Sequence, residues 1–184
     1  MYGGLLRDGN FFAALIDLDA ELCADTRAAR CPHCDGALHR SDYPRKPRGG
    51  PAMTVERERR FSLCCANCRR RNTPPLVRFL GPKVYYGAVV ILAACLAEGV
   101  TEWRAKRVAK TLDIPRRTLV RWRCWWQEPF ARCRFWAAHR GRFGPPPPTD
   151  LPTGLLAAFT GDLPERLLAL LRFLAPLTRP GRAP

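Results

Sequence analysis

The feature that most constrains this chain is a repeated C-x-x-C step, Cys31-Pro-His-Cys34 and Cys65-Ala-Asn-Cys68. A tight turn across two residues aims both sulfurs of a pair at one point. Two such turns complete a tetrahedron of thiolates around one ion. Thiolates match zinc better than magnesium or calcium. A small β-rich module has little core, so a bound metal supplies much of its folding free energy. Cys31, Cys34, Cys65 and Cys68 are therefore the candidate ligands, and zinc the candidate cofactor. The spacer between the pairs is longer than is usual for such sites, which calls for a long hairpin. Cys64 lies beside Cys65 and is an alternative ligand. His33 and His39 are alternatives to a sulfur, although a histidine in such a loop more often faces solvent. The flank Arg69-Arg70-Arg71 would favour nearby thiolates. A redox role for one pair is disfavoured because no strand–helix thioredoxin pattern surrounds it.

Nine cysteines, an odd number with four scattered singles, make a poor disulfide framework. They suit a reducing compartment. Cys23, Cys95, Cys124 and Cys133 read as buried thiols rather than ligands. The opening MYGGLLRDGNFF lacks the basic start and unbroken apolar core of a signal peptide. The longest apolar run, residues 84–97, is too short to span a bilayer. The expectation is a cytoplasmic, nucleoid-associated protein with no membrane partner.

Charge narrows the partner. The formal net charge is +15, and 27 of the 31 basic residues are Arg. Residues 1–30 carry net −2, residues 31–75 net +6, residues 76–144 net +10 and residues 145–184 net +1. A polyanion should therefore dock on the middle of the chain. Arginine's planar fork matches phosphates and guanine edges. A GC-rich codon bias would also raise Arg, but would not by itself produce the contrast between segments.

The periodicities predict a mainly α protein with a small β zinc ribbon. Residues 1–29 form an N-terminal helix, with Phe11, Leu15, Leu18 and Leu22 inward and most acidic groups on the other side. Residues 30–75 form the ribbon, where Val55, Phe61 and Leu63 share one strand phase ahead of the second Cys pair. Residues 76–143 form a helix-turn-helix domain of three to four helices, near 84–97, 102–112, 115–126 and 128–141. Residues 144–184 hold the spacer Pro145–Pro148 and a Leu-rich amphipathic helix broken at Pro176.

The helix-turn-helix reading rests on register. Counted from Ala105, the apolar positions of the 20-residue template fall on Val108, Leu112, Ile114, Leu119 and Trp122, and the small crossing position on Ala109. Asp113 takes the turn usually held by Gly, and Pro115 opens the next helix. In the helix after Pro115, Arg116, Arg117, Thr118, Val120 and Arg121 point away from the core, where a recognition helix meets base edges. Arg116, Arg117 and Arg121 can fork onto guanine. Arg104, Lys106, Lys110 and Arg123 suit phosphate contacts, which position without reading sequence. Trp122 and Trp126 read as core rather than stacking platforms.

The run CPHC, a basic hairpin, RRFSLCCANCRRR, a TPP linker and VAKTLDIPRRTLVRWRCWW resembles the N-terminal DNA-binding region of bacterial insertion-sequence transposases. It also resembles small stand-alone zinc-ribbon/helix-turn-helix proteins of such elements. The resemblance covers about residues 30–127. It implies four cysteine ligands and a helix after Pro115 that reads element ends in double-stranded DNA. It further implies a transposase or recombinase subunit as partner. Full transposases of this kind carry an acidic triad on a following nuclease domain. After Arg142 this chain offers only Asp150, Asp162 and Glu165, close together and without a strand pattern. The expectation is a non-enzymatic module with no small-molecule substrate. A protein-interaction module, with self-association through residues 163–177, and an RNA-binding protein are the competing readings. Folding of that helix onto the chain's own core is the simpler fate for 163–177.

Overall fold

The computed structural model describes residues 2–45, 47–48, 58–80, 85–96 and 114–179. After a short turn of helix, α1 (Tyr2–Leu5), the chain enters α2 (Gly9–Ala28). Asp8 starts α2 by accepting a hydrogen bond from the Asn10 amide at 2.9 Å. The buried face of α2 is Phe11, Phe12, Leu15, Asp19 and Cys23, while Leu18 and Leu22 are only half-buried. The expected apolar stripe is thus rotated, and an acidic residue occupies its centre.

Asp19 lies in the core because of Arg78. Its carboxylate meets the Arg78 guanidinium at 2.5 Å and accepts the Val77 amide at 2.6 Å. Both side chains are almost wholly buried, at 0% and 1% exposure. Arg78 also donates to the Arg59 carbonyl at 2.9 Å and lies over the rings of Phe61 and Phe79. Burial pushes the Asp19 carboxyl upward, and Arg78 and the Val77 amide act against that shift. This knot ties α2 to the segment that leads into the helical core.

The strands are short. β1 (Leu38–Arg40), β4 (Leu63–Cys65) and β5 (Arg71–Asn72) form an antiparallel sheet with β4 in the middle. β2 (Tyr43–Pro44) pairs with β3 (Arg59–Arg60) in a second antiparallel ladder. The break falls at Phe61–Ser62, where Asp42 accepts the Ser62 amide at 3.0 Å instead of a backbone carbonyl doing so. The predicted strand therefore splits in two. Phe61 and Leu63 are buried, and Val55 lies outside the described residues.

The helical part centres on α3 (Gly87–Leu96), which is buried from Gly87 to Ala94 on every side. A helix apolar all round needs neighbours all round. It packs against α4 (Arg116–Trp125) and, further along the chain, α7 (Leu163–Leu174). A Cβ at Gly87 would lie 2.8 Å from Leu171 Cδ2, so glycine sets the close approach of α3 to α7. α4 continues into a π-helical turn, Trp126–Phe130, that contains Pro129. Proline has no N–H to donate, and a widened turn is one way to absorb that loss. α5 (Arg134–His139) and a 3-10 turn (Arg140–Phe143) follow, then α6 (Thr153–Ala157).

α7 begins at a reciprocal cap, in which Asp162 accepts the Glu165 amide and Glu165 accepts the Asp162 amide. Leu167, Leu170, Leu171 and Leu174 are all fully buried in the chain's own core. Thr178, just beyond α7, accepts the Leu76 amide at 2.9 Å and receives Arg60 on its carbonyl at 3.1 Å. The molecule is mainly helical with small antiparallel sheets, and one buried apolar cluster draws on every part of it. No described helix is long and apolar enough to cross a membrane.

Candidate metal centre

The two cysteine pairs sit on matching turns. In the first, the Cys31 amide donates to the Gly36 carbonyl at 3.0 Å; in the second, the Cys65 amide donates to the Arg70 carbonyl at 3.0 Å. The residue after each pair is left-handed, Asp35 at φ 55° and Arg69 at φ 61°. That kink turns the backbone amides of each loop inward, toward the sulfurs. The turns are stitched together where the Ala66 amide donates to the Ala37 carbonyl at 2.9 Å. β1 and β4 hold them in register, with Leu38 opposite Cys65.

This places four sulfurs in one cluster. Cys31 and Cys68 stand 3.7 Å apart, Cys34 and Cys65 3.5 Å, and all four lie within 4.8 Å of one another. A Zn–S bond of about 2.3 Å makes the edge of a regular tetrahedron about 3.8 Å. The sulfur set and its dimensions therefore fit a four-coordinate ion such as zinc. Cys31 and Cys65 are buried, Cys68 half-buried and Cys34 exposed.

The local field favours thiolate at Cys31 and Cys65 and opposes it at Cys68. The His33 amide is the main cause that lowers the Cys31 thiol. The Cys65 thiol is lowered to about 6, first by the Cys68 amide and also by the Asn67 amide and the Cys34 thiol. Cys68 is pushed up to about 12. There the Arg70 amide acts downward, but burial and the thiols of Cys34, Cys65 and Cys31 outweigh it. Four sulfurs this close cannot all be anionic unless a cation replaces the shared protons.

The alternative ligands are placed elsewhere. Cys64 is opposite His39 in the ladder, and its neighbour Cys65 points to the other face, as strand alternation demands. Its sulfur approaches the Arg69 carbonyl at 3.4 Å. His33 contacts Arg70 at 3.0 Å through Nδ1, and neither His33 nor His39 belongs to the cluster.

Gly36 is part of the site, although it is no ligand. A Cβ there would lie 2.8 Å from Cys65 Sγ and 3.0 Å from Asn67. The glycine two residues after the first pair was the available signal. The scattered cysteines divide: Cys23 and Cys133 are buried and Cys95 half-buried, but Cys124 is exposed on α4.

The arginines expected to meet DNA lie apart from this cluster in sequence. Arg116, Arg117 and Arg121 are on the exposed side of α4, and Val120 between them is 50% exposed. Arg123 is half-buried. Thr118 departs from the expectation: it is 7% exposed and shares the inner face with Leu119 and Trp122. At 3.6 residues per turn, positions 118, 119 and 122 fall on one side. Trp122 and Trp126 are core, as expected. Arg104, Lys106 and Lys110, with the helix expected at 102–112, lie outside the described residues.

Comparison adds no relative. No family model matches the chain, and no curated protein or solved structure matches it.

Proposed function

We propose that the chain is a non-enzymatic, zinc-dependent protein that binds double-stranded DNA, as an accessory, remnant or regulator of a mobile element. The observation that carries the reading is the four-sulfur cluster at tetrahedral spacing, held by two matching turns. A site closed by four cysteines has no open position for water, so its ion supports structure rather than hydrolysis. The resemblance to transposase N-terminal regions and the excess of arginine in residues 76–144 direct the reading to DNA. Arg116, Arg117 and Arg121 on the exposed side of α4 are the base-reading candidates. Arg104, Lys106, Lys110 and Arg123 are the phosphate candidates.

The test is duplex binding by fluorescence anisotropy across a salt series. Several phosphate contacts make affinity fall steeply as salt rises. Arg121→Ala should relax sequence preference, with roughly 1–3 kcal/mol of discrimination lost per guanine contact. Affinity indifferent to salt would remove DNA from the account and leave only the metal-binding statement.

A further inference from the structure

Away from the cysteine cluster, a groove of about 600 Å³ runs between α5, the 3-10 turn after it, the Phe159 segment and α7. Its walls are aromatic. Phe135 stacks on His139 with centroids 4.5 Å apart, and Phe173 meets Phe135 at 4.9 Å, Phe143 at 5.3 Å and Phe159 at 6.3 Å. Each of these five rings is only half-buried. Arg142 and Arg172 also line the groove, both are exposed, and no carboxylate lines it. Among the described residues neither guanidinium has a hydrogen bond or ion pair.

We propose that this groove binds single-stranded nucleic acid, with bases stacked on the rings and phosphates on Arg142 and Arg172. The proposal is independent of duplex recognition by α4. Two observations favour this occupant over an apolar peptide. The groove presents five half-buried aromatic rings, Phe135, His139, Phe143, Phe159 and Phe173, backed on the core side by Trp136 against Phe143. A leucine-type anchor is served equally well by aliphatic walls, but a base needs a π face. The charge at the rim comes from arginine, which can both fork onto phosphate and stack. An aromatic lining with a basic rim is the general physical requirement for holding a single strand without reading its sequence.

The experiment titrates the full-length, metal-loaded protein into fluorescently labelled oligo(dT), with a duplex of the same length measured in parallel. Oligo(dT) should bind. Phe173→Leu and Phe159→Leu, which keep apolar volume and remove the π face, should each weaken it about fivefold or more. Phe159→Trp should retain it, and Arg142→Ala with Arg172→Ala should flatten its salt dependence. The ring variants should leave duplex affinity unchanged, which separates failure here from failure of the α4 reading. Circular dichroism of each variant guards against misfolding, and the tryptophan variant keeps the test decisive if a leucine variant unfolds. The proposal is overturned if oligo(dT) does not bind, or if the leucine variants bind it like the parent. The second result would place the strand elsewhere on the basic surface.

Discussion

Each sulfur of the cluster has a defined job, so single substitutions should separate sharply. Cys31→Ser, Cys34→Ser, Cys65→Ser or Cys68→Ser each removes a quarter of the donor set and should abolish stoichiometric zinc. Cys64→Ser, whose sulfur faces the Arg69 carbonyl, should leave the zinc content at the parental value. Elemental analysis of the purified variants reads both. Gly36→Ala presses a methyl into Cys65 Sγ at 2.8 Å, and should weaken metal retention in a chelator competition without removing any ligand. Asp19→Asn leaves the Arg78 guanidinium buried without its counter-charge, and should cost about 3–5 kcal/mol in urea unfolding. The cysteines were legible because ligand chemistry demands that spacing. Asp19 was not. A carboxylate on an amphipathic helix looks solvated until its partner is known, and the partner lies 59 residues away. Thr118 was misplaced for a related reason: beside exposed arginines it was counted with the polar face, although helical angle puts it next to Leu119 and Trp122.

Elements followed the sequence where local chemistry dominates. α7 has its reciprocal cap, its leucine face and, two residues past its end at Leu174, Pro176 in a 3-10 turn, all of which are nearest-neighbour signals. Asp162→Ala should therefore cost about 1 kcal/mol, seen as a lower urea midpoint. α3 was expected near 84–97 as one helix of a helix-turn-helix domain, yet it is buried all round from Gly87 to Ala94. Its composition of Ala, Val, Leu and Ile said as much, but periodicity reports a face only when one exists. The split between β3 and β4 depended on Asp42 taking the Ser62 amide, a contact that no alternation pattern encodes. Tyr86, at the start of α3, packs on Phe12 and Phe79, and burial pushes its hydroxyl up to about 12. Between pH 10 and 12 the unfolded chain releases a proton that the folded chain keeps. Stability should therefore fall as pH rises through that window, and Tyr86→Phe should make the fall shallower. Urea midpoints across the alkaline range test this. An identical slope for parent and variant would remove Tyr86 from the explanation.

At the scale of the molecule, the short strands cannot fold on local pairing alone. They are held by the sulfur cluster on one side and by the Asp19–Arg78 and Arg60–Thr178 contacts on the other. The metal should thus stabilise more than its own loops. Removing it should lower cooperativity across α2 and the sheets before α3 and α7 unfold, as hydrogen exchange would show. The central claim is tested most directly by native mass spectrometry of the full chain, before and after dialysis against a strong chelator. The account predicts one zinc per chain, and loss of ordered structure in the two cysteine turns and in β1, β4 and β5 when it is withdrawn. A metal-free protein whose fold is unchanged when Cys31, Cys34, Cys65 and Cys68 are all replaced by serine would contradict it.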